Sequence, residues 1–248
     1  MLLMSVSVWD RFPQLKQIPK EMFPNHVLII PDGNGRWAQR MNKPLIIGHK
    51  KGYQVLKEAL EILQDLPINI VTIWGFASDN WKRSKQETEN LMKLFKTAIE
   101  NNLNPLLKKN TKFIHLGRKD RIPDYLKQTI TKAEQETLNN NRRIFCLAID
   151  FGGEDQILRM MKKTNKLPKN TKLTIDLVKK LRDGHGEIPP ADLIIRTSGE
   201  QRISDIGWLG TNAEFYSVPK FLPQAQISDF IEAIIDYSKR NRRFGGRP

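Results

Sequence analysis

Residues 26–37 have the sequence HVLIIPDGNGRW. The apolar run 27–30 has the length of a buried strand and ends at Pro31, which cannot donate a hydrogen bond to a sheet. The two glycines that follow Asp32 favour a tight turn whose backbone N–H groups can approach an anion closely. With a helix that begins near Arg36, the stretch forms a strand–loop–helix unit, which is typical of α/β folds.

The same alternation of strands and helices continues along the chain. The predicted strands are 27–30, 68–76, 113–116, 144–151, 193–196 and 215–218. The predicted helices after the first are 52–63, 87–107, 123–138, 156–163, 175–182 and 227–238, with Pro105 marking a kink or an end. We therefore expect an α/β fold with a mainly parallel, six-stranded sheet flanked by helices. Residues 1–22 are expected to form an N-terminal extension and residues 23–248 a single domain.

Composition limits the functional classes. Of the 248 residues, 39% are hydrophobic and 27% are charged, which is typical of a globular protein. The net charge of +14 attracts phosphates, whether in nucleic acid, in lipid headgroups or in small diphosphates. The single cysteine, Cys146, excludes an intramolecular disulfide and a Cys-rich zinc site. No stretch has the roughly 18 apolar residues of a membrane span, and the run 1–8 lacks the basic start of a signal peptide, so we expect a cytoplasmic protein.

Ligands of parallel α/β sheets bind beyond the carboxyl ends of the strands. Asp32 stands in such a loop, and its carboxylate would repel a phosphate unless a divalent cation lay between them. A capped turn, with Asp32 as the N-cap, explains the same loop equally well.

Two more strand ends carry phosphate-suited residues. The first combines Asn80, Trp81 and Arg83 ahead of a helix start, although capping around a buried Trp81 is the simpler explanation for it alone. The second, residues 195–204, has the sequence IRTSGEQRIS, which suits a second anionic ligand or else forms a surface turn with a salt bridge from Glu200. His49 alone is more typical of a cap or a core residue than of a catalyst. Together, the three loops favour a site for two phosphorylated ligands.

These motifs, in this order, resemble the cis-prenyltransferases, the undecaprenyl diphosphate synthase family. The matching residues are His26-x5-Asp32-Gly-Asn-Gly-Arg-Trp-Ala38, Gly48-His49-x2-Gly52, Phe76-x3-Asn80-Trp81-x-Arg83, Arg196-Thr-Ser-Gly-Glu200-x-Arg202-x-Ser204, Glu214 and Arg242-Arg-Phe-Gly-Gly246. The resemblance spans residues 23–246. It implies a Mg²⁺-dependent homodimer that condenses an allylic diphosphate (farnesyl or geranyl diphosphate) with isopentenyl diphosphate, and a hydrophobic tunnel between sheet and helices.

The resemblance also implies roles for individual residues. Asp32 and Glu214 would hold Mg²⁺, His49 would assist diphosphate departure, and Asn80 would help proton removal. The residues expected to grip the allylic diphosphate are Gly33, Asn34, Gly35 and Arg36, and those for isopentenyl diphosphate are Arg196, Arg202 and Ser204. Phe76, Trp81 and Arg83 would shape the site, Gly245 would reach the partner's phosphates across the dimer, and Trp37, Ala77, Ser78, Asp79 and Ile203 complete the expected substrate contacts. The tunnel candidates, each of which is more typically a core residue, are Ile73, Gly75, Leu91, Leu94, Phe95, Ile99 and Leu103.

Several departures from the family pattern leave the product open. Leu45 replaces an arginine, Ala77 replaces a hydroxyl residue, Asp150 replaces an asparagine and Glu154 replaces a second arginine, while the stretch from Ser204 to Glu214 is one residue shorter. A shorter product, another starter or an altered coupling therefore remains an alternative. A non-catalytic partner subunit is a second alternative, but the intact Asp32–Arg36 loop argues against it. Specific nucleic-acid binding is not expected, because no aromatic–basic interleaving is present, whereas transient contact with a membrane surface is a hypothesis that the basic charge supports.

Overall fold

The structure, a computed structural model, describes residues 7–246. Its strands are β1 (His26–Ile30), β2 (Ile70–Ala77), β3 (Thr111–Leu116), β4 (Arg143–Phe151), β5 (Leu193–Arg196) and β6 (Glu214–Ser217). Its helices are α1 (Val8–Arg11), α2 (Asn34–Arg40), α3 (Leu45–Leu63), α4 (Lys85–Lys108), α5 (Asp124–Glu136), α6 (Gly153–Thr164), α7 (Ile175–Leu181) and α8 (Ile227–Ser238). Within residues 7–246, no helix is long and apolar enough to cross a membrane.

All six strands form one sheet in the order β3-β4-β2-β1-β5-β6, and every neighbouring pair is parallel. Alternate residues of β1 face opposite sides, so that Val27 and Ile29 join one buried cluster while Leu28 and Ile30 join another. A sheet that is covered on both faces needs nearly continuous apolar strands. The predicted α/β fold with a six-stranded parallel sheet is confirmed.

One predicted helix boundary is wrong by about two turns. We expected a helix start at Gly52, but α3 begins at Leu45 and contains Gly48 and Gly52. Both glycines lie against α2, since a Cβ on Gly48 would come within 2.2 Å of the carbonyl oxygen of Asn34. Close helix packing, rather than helix initiation, explains these glycines.

Two smaller corrections concern other helix boundaries. Pro105 does not end its helix, because α4 continues to Lys108. In the same way, α6 begins at Gly153, three residues before the predicted start at residue 156.

The sequence order of the elements orients α3 and α4 on the sheet. Each of the two helices connects parallel strands, so each starts at the carboxyl edge of the sheet and ends at the amino edge. Both contribute to the same buried cluster on one face of the sheet. The space between these helices and the sheet therefore runs from one edge to the other.

The first described residues pack on this cluster. Val8 and Leu15 are 4% and 0% exposed and belong to the cluster that includes Leu63 and Leu66. The rings of Trp9 and Phe23 meet edge to face, with their centroids 6.1 Å apart. Residues 8–23 are thus part of the main hydrophobic core.

Candidate active site

Three loops meet at the carboxyl edge of the sheet. They follow β1 (residues 31–33), β2 (Ser78–Lys82) and β5 (residues 197–204). Because β2, β1 and β5 are adjacent in the sheet, the three loops lie side by side. The sequence prediction had placed phosphate-suited residues on these same loops.

The loop after β1 turns at Gly33, which has a φ of +96° and is the N-cap of α2. A Cβ atom on Gly33 would lie 2.7 Å from Cδ1 of Phe221, and side chains other than hydrogen strain this left-handed conformation. Asp32 is therefore not the N-cap, which corrects one of the two sequence interpretations. Its carboxylate instead faces the cavity described below.

Two arginines hold the carboxylate of Asp32. Oδ1 lies 3.1 Å from Nη2 of Arg36, and Oδ2 lies 2.9 Å from Nη2 of Arg196. Burial raises the pKa of Asp32, but the hydrogen bonds and charges of Arg196 and Arg36 outweigh this effect and hold the pKa below its usual value. Asp32 is therefore ionised at neutral pH.

Arg196 connects the first loop with the third. Its guanidinium Nη1 donates to the carbonyl oxygen of Arg202 at 2.6 Å and to Oγ of Ser204 at 2.9 Å, while Nη2 donates to Asp32. The side chain is only 6% exposed. A planar fork with several fixed donors is the geometry that arginine, and not lysine, supplies.

Glu200 lies between two cations at the mouth of the site. Its Oε1 accepts a hydrogen bond from Arg36 at 2.8 Å, and its Oε2 pairs with Arg202. The hydrogen bond from Arg36 is the largest influence on the pKa of Glu200 and lowers it. An anion thus already bridges Arg36 and Arg202, as a diphosphate oxygen could.

A second charged group lies where α3 meets α4. Nε2 of His49 is 3.4 Å from Oε1 of Glu87, and the same oxygen accepts a hydrogen bond from Nη1 of Arg83 at 3.0 Å. Burial lowers the pKa of His49, Glu87 opposes this and Arg83 adds to it, so that the net shift is downward. The ring is therefore neutral at pH 7, and Nε2 has no hydrogen-bond partner among the described residues.

Asn80 is fixed at the end of β2. Its Oδ1 accepts a hydrogen bond from the backbone N–H of Ala77 at 3.0 Å. Ala77, Ser78, Asp79 and Asn80 all line the cavity. Behind them, the rings of Phe76 and Trp81 pack edge to face at 5.1 Å, so these two aromatics support the loop from outside the cavity.

One cavity of about 1070 Å³ joins these residues. It opens at the three loops and continues between the sheet and helices α3 and α4. Its apolar walls include six of the seven tunnel candidates, namely Ile73, Gly75, Leu91, Leu94, Phe95 and Ile99. Leu103 packs on the core outside the cavity. Pockets for drug-sized ligands measure about 300–1,000 Å³, so this cavity could hold a long apolar chain.

Asp32 is the carboxylate best placed for a divalent cation. Within residues 7–246, no three His, Cys, Asp or Glu side chains are grouped as a metal site. In phosphate sites, however, Mg²⁺ is usually bound by one or two carboxylates together with substrate phosphates and water. A single ionised carboxylate beside phosphate-suited arginines fits an ion that arrives with a diphosphate.

Glu214 lies away from Asp32 within this chain, so its expected role as a second metal ligand stays a prediction. It is the first residue of β6, where it pairs in register with Leu193, and so lies at the amino edge of the sheet. Its carboxylate accepts a hydrogen bond from Arg240 at 2.8 Å. The register of a parallel strand, which the motif spacing does not reveal, separates Glu214 from the loops.

Four other predicted contacts lie outside the cavity, and one of them is Arg202, which pairs with Glu200. Gly245 follows α8 in the tail near the amino edge, where the neighbouring Arg242 pairs with Asp192 just before β5. Trp37 is buried with Ala38 and is not a cavity residue. Ile203 is 39% exposed and also outside the cavity, whereas Ser204 lines it.

Asp150 and Leu45, two of the residues that depart from the family pattern, make defined contacts in the structure. Asp150 is fully buried, has a φ of +55° and pairs with Arg121, whose Nε donates to Oδ2 at 2.8 Å. This ion pair lies outside the cavity. Leu45 packs with Trp37 and Phe221 and lies 3.7 Å from the position of a Cβ on Gly35.

Sequence reasoning missed the roles of two acidic residues. The sequence places Glu87 three residues after Ser84, which is a capping-box spacing, and Glu200 in a surface salt bridge with an arginine. In the structure they contact His49 and Arg36, respectively, which lie on other elements. The four-residue spacing of Arg83, just before α4, and Glu87, in its first turn, is the only local signal of the first group.

Comparison with known proteins agrees with this geometry. The profile of the undecaprenyl diphosphate synthase family (Prenyltransf) matches residues 30–245. An isoprenyl transferase of Aquifex pyrophilus is 37% identical over 223 residues, covering 90% of this chain and 96% of that protein. One of Fusobacterium nucleatum is 35% identical over 224 residues, with the same coverage of 90% and 96%.

A solved structure shares the fold. Lavandulyl diphosphate synthase from Lavandula x intermedia, in complex with dimethylallyl diphosphate, superposes with a TM-score of 0.84 at 30% sequence identity. The match covers 91% of this chain and 99% of that one. With the family profile spanning most of the chain, the protein belongs to the undecaprenyl diphosphate synthase family of prenyl-transferring enzymes.

Proposed function

We propose that this protein condenses isopentenyl diphosphate with an allylic diphosphate, farnesyl or geranyl, and forms a cis-polyprenyl diphosphate in a Mg²⁺-dependent reaction. One observation carries the proposal: Asp32, Arg36 and Arg196 line the mouth of a long cavity with apolar walls, and Glu200 pairs with Arg36 beside them. Cations at the mouth suit diphosphates, and the apolar walls suit the hydrocarbon.

The two diphosphates would divide the cations between them. Arg36, with the Gly33–Gly35 loop, binds the allylic diphosphate, and Arg196, Arg202 and Ser204 bind isopentenyl diphosphate. Asp32 would hold Mg²⁺, which when bound neutralises charge on the leaving diphosphate. As the substrates enter, the carboxylate of Glu200 separates from Arg36 and Arg202, because each guanidinium then binds a diphosphate oxygen instead.

Other residues act on the reacting carbons and their protons. Ionisation of an allylic diphosphate produces a carbocation-like carbon that water would trap. The apolar walls formed by Leu91 and Phe95 exclude water from this position. Neutral His49 can donate a hydrogen bond from Nε2 to the departing diphosphate, in the tautomer that carries its hydrogen there. The fixed amide of Asn80 orients the isopentenyl group as it loses a proton to the released diphosphate.

A single, non-standard coupling is the second candidate. It is supported by the high structural similarity to lavandulyl diphosphate synthase, whose crystal contains dimethylallyl diphosphate. The arginine missing at Leu45 and the acidic Glu154 on the cavity wall also change the charge around the substrates. Such an enzyme would stop after one condensation.

The homodimer remains part of the proposal. Glu214 and Gly245 lie near the amino edge of the sheet, away from the loops of their own chain, so they could act only on a partner's site. Sedimentation velocity on the purified protein tests this arrangement, and a monomer that is fully active at nanomolar concentration would contradict it. Membrane contact stays a separate hypothesis, which predicts that turnover falls when lipid and detergent are absent.

Product analysis tests the reaction. The purified protein is incubated with Mg²⁺, isopentenyl diphosphate and C5, C10 or C15 allylic diphosphates, and the products are identified by mass. A ladder that ends at one length supports chain elongation, whereas a single or branched product supports the second candidate. No product with any starter, with Asp32→Asn indistinguishable from the wild type, would refute an enzymatic role and favour a partner subunit.

A further inference from the structure

The N-terminal segment forms part of the cavity wall. Val8 and Arg11, the first and last residues of α1, line the cavity together with residues from α3 and α4. The tunnel candidates chosen from the sequence all lay on β2 and α4, so this contribution was not expected. It places the start of the described chain against the space proposed for the prenyl chain.

These contacts lie at the end of the cavity opposite the three loops. Trp9 of α1 packs on Phe23, three residues before β1 begins, which places α1 near the amino edge of the sheet. The cavity is also lined by Leu60 and Gln64, at the C-terminal end of α3, and by Lys109, which follows α4. Both helices end at the amino edge of the sheet. His49 and Leu60 both line the cavity, and 11 residues of helix separate them by about 17 Å.

The segment is anchored, so its position is defined. Oγ of Ser7 accepts a hydrogen bond from the backbone N–H of Asp10 at 3.2 Å, and the Asp10 carboxylate lies 2.7 Å from Nζ of Lys16. Leu15 is fully buried, and Val8 is 4% exposed. Val8 is thus held by buried contacts, which keep its position when a ligand presses on it, whereas Arg11 is exposed.

We propose that Val8 and Arg11 form the end wall that limits how far a prenyl chain can extend, and thereby help to set product length. This inference rests on the proposed function. Val8 limits the chain by volume, because the core around it is close-packed. Arg11 limits it by charge, because hydrocarbon that reaches a guanidinium would remove its water without replacing the hydrogen bonds.

Turnover gives the first test. Val8→Trp adds volume at the wall and should shorten the longest product by at least one isoprene unit. Arg11→Leu removes the charge and should lengthen it by at least one unit. The matched control is Gln14→Trp, an exposed position on the same segment that does not line the cavity. The inference would be overturned if Val8→Trp and Arg11→Leu made products of the same length as the wild type and the control.

Binding gives a second test that does not depend on turnover. Non-hydrolysable thiolodiphosphates that carry one to six isoprene units are titrated calorimetrically into the wild type and each variant. Affinity should rise with chain length and then level off, and the plateau should begin at least one unit earlier in Val8→Trp, with the one-unit ligand unaffected. An unchanged plateau refutes the end wall. If no ligand binds to the wild type or to any variant, both the proposed function and this inference are refuted. If the ligands bind normally but the enzyme does not turn over, only the proposed function is refuted.

Circular dichroism melts show whether the variants are folded. If Val8→Trp fails to fold, Val8→Phe and Arg11→Leu carry the same two readouts. The inference then requires a shorter maximum chain length for Val8→Phe and a longer one for Arg11→Leu. It is wrong if the maximum chain length in either variant equals that of the wild type.

Discussion

The side chain of Asn34 occupies the space that a Cβ atom on Gly52 would need. The distance from that Cβ to Oδ1 of Asn34 would be only 2.1 Å. The first residue of α2 and the middle of α3 are therefore in direct contact, and the spacing of Gly48 and Gly52 by four residues puts both glycines on the face that receives α2. Two motifs separated in the sequence thus form one unit that positions the loop after Asp32.

This contact predicts the effect of Gly52→Ala. Alanine favours a helix by about 1 kcal/mol over glycine, so a helix effect alone would stabilise the protein. Because the new methyl group must displace Asn34, we expect instead roughly a tenfold weaker apparent affinity for the allylic diphosphate, equivalent to about 1.4 kcal/mol. The KM for the allylic diphosphate, from steady-state kinetics, measures this affinity. The control is Gln54→Ala, at an exposed position on the same helix. Equal KM values for the two variants would contradict the packing argument.

Arg196→Lys should impair catalysis although it keeps the charge. A lysine cannot donate at once to Asp32, to the Arg202 carbonyl and to Ser204, as the buried guanidinium does. Loss of about 3 kcal/mol of charge-assisted hydrogen bonding would lower kcat/KM roughly 100-fold. Arg202→Lys, on a side chain that is 64% exposed, should cost much less. Similar losses in the two variants would show that charge, rather than geometry, determines the effect.

Leu45→Arg should strengthen binding of the allylic diphosphate. Leu45 is next to Gly35 and half-buried at the start of α3, so a guanidinium there would reach the diphosphate loop. A new charge–charge contact near the surface is worth about 1 kcal/mol, which corresponds to about a fivefold lower KM. Ile47→Arg, two residues further along the same helix, adds the same charge at a position that does not contact Gly35. Equal KM changes in both variants would mean that only the net charge matters.

Asp150 and Arg121 should behave as a coupled pair. Removal of Arg121 by Arg121→Ala leaves the fully buried carboxylate of Asp150 without its cation. Because the Arg121 side chain is itself 39% exposed, water can replace part of this contact, and we expect a loss of about 1–3 kcal/mol. The double variant Arg121→Ala with Asp150→Asn should recover much of that stability, since asparagine needs no counter-ion and tolerates the positive φ. Urea unfolding of the wild type, both single variants and the double variant measures the coupling energy. If the double variant lost as much free energy of unfolding as the two single variants together, Asp150 and Arg121 would not be coupled.

Two buried histidines predict that acid destabilises the protein. Burial lowers the pKa of His26 and of His115 to about 4. Between pH 6.5 and 4 the unfolded chain binds these protons and the folded chain does not, so the free energy of unfolding falls as the pH falls. Each shift corresponds to on the order of 3 kcal/mol when the pH change is complete.

Urea unfolding at pH 7.5 and pH 5.0 checks this dependence. His26→Gln should remove part of the difference between the two pH values, because one proton-binding group is then absent from the unfolded chain. The control is His185→Asn, at an exposed position with positive φ, which asparagine tolerates. A wild-type free energy of unfolding that is equal at both pH values would show that these histidines are protonated in the folded state.

The amino-acid sequence by itself determined the fold class and the three loops. Apolar runs such as 27–30 and 144–151 identify buried parallel strands, because a sheet covered on both faces needs apolar residues along its whole length. The rule that ligands bind at carboxyl ends then led from each strand to Asp32, Asn80 and Arg196. Both steps use information from neighbouring residues only.

Tertiary structure alone decided how distant residues combine. Glu200 meets Arg36 across 164 positions of the chain, α1 reaches the far end of the cavity, and strand register takes Glu214 to the opposite edge of the sheet. The start of α3 at Leu45, ahead of Gly48 and Gly52, has the same origin, since these glycines pack against Asn34. Local propensity and motif spacing report on the nearest few residues, whereas these contacts depend on the packing of whole elements and on strand register.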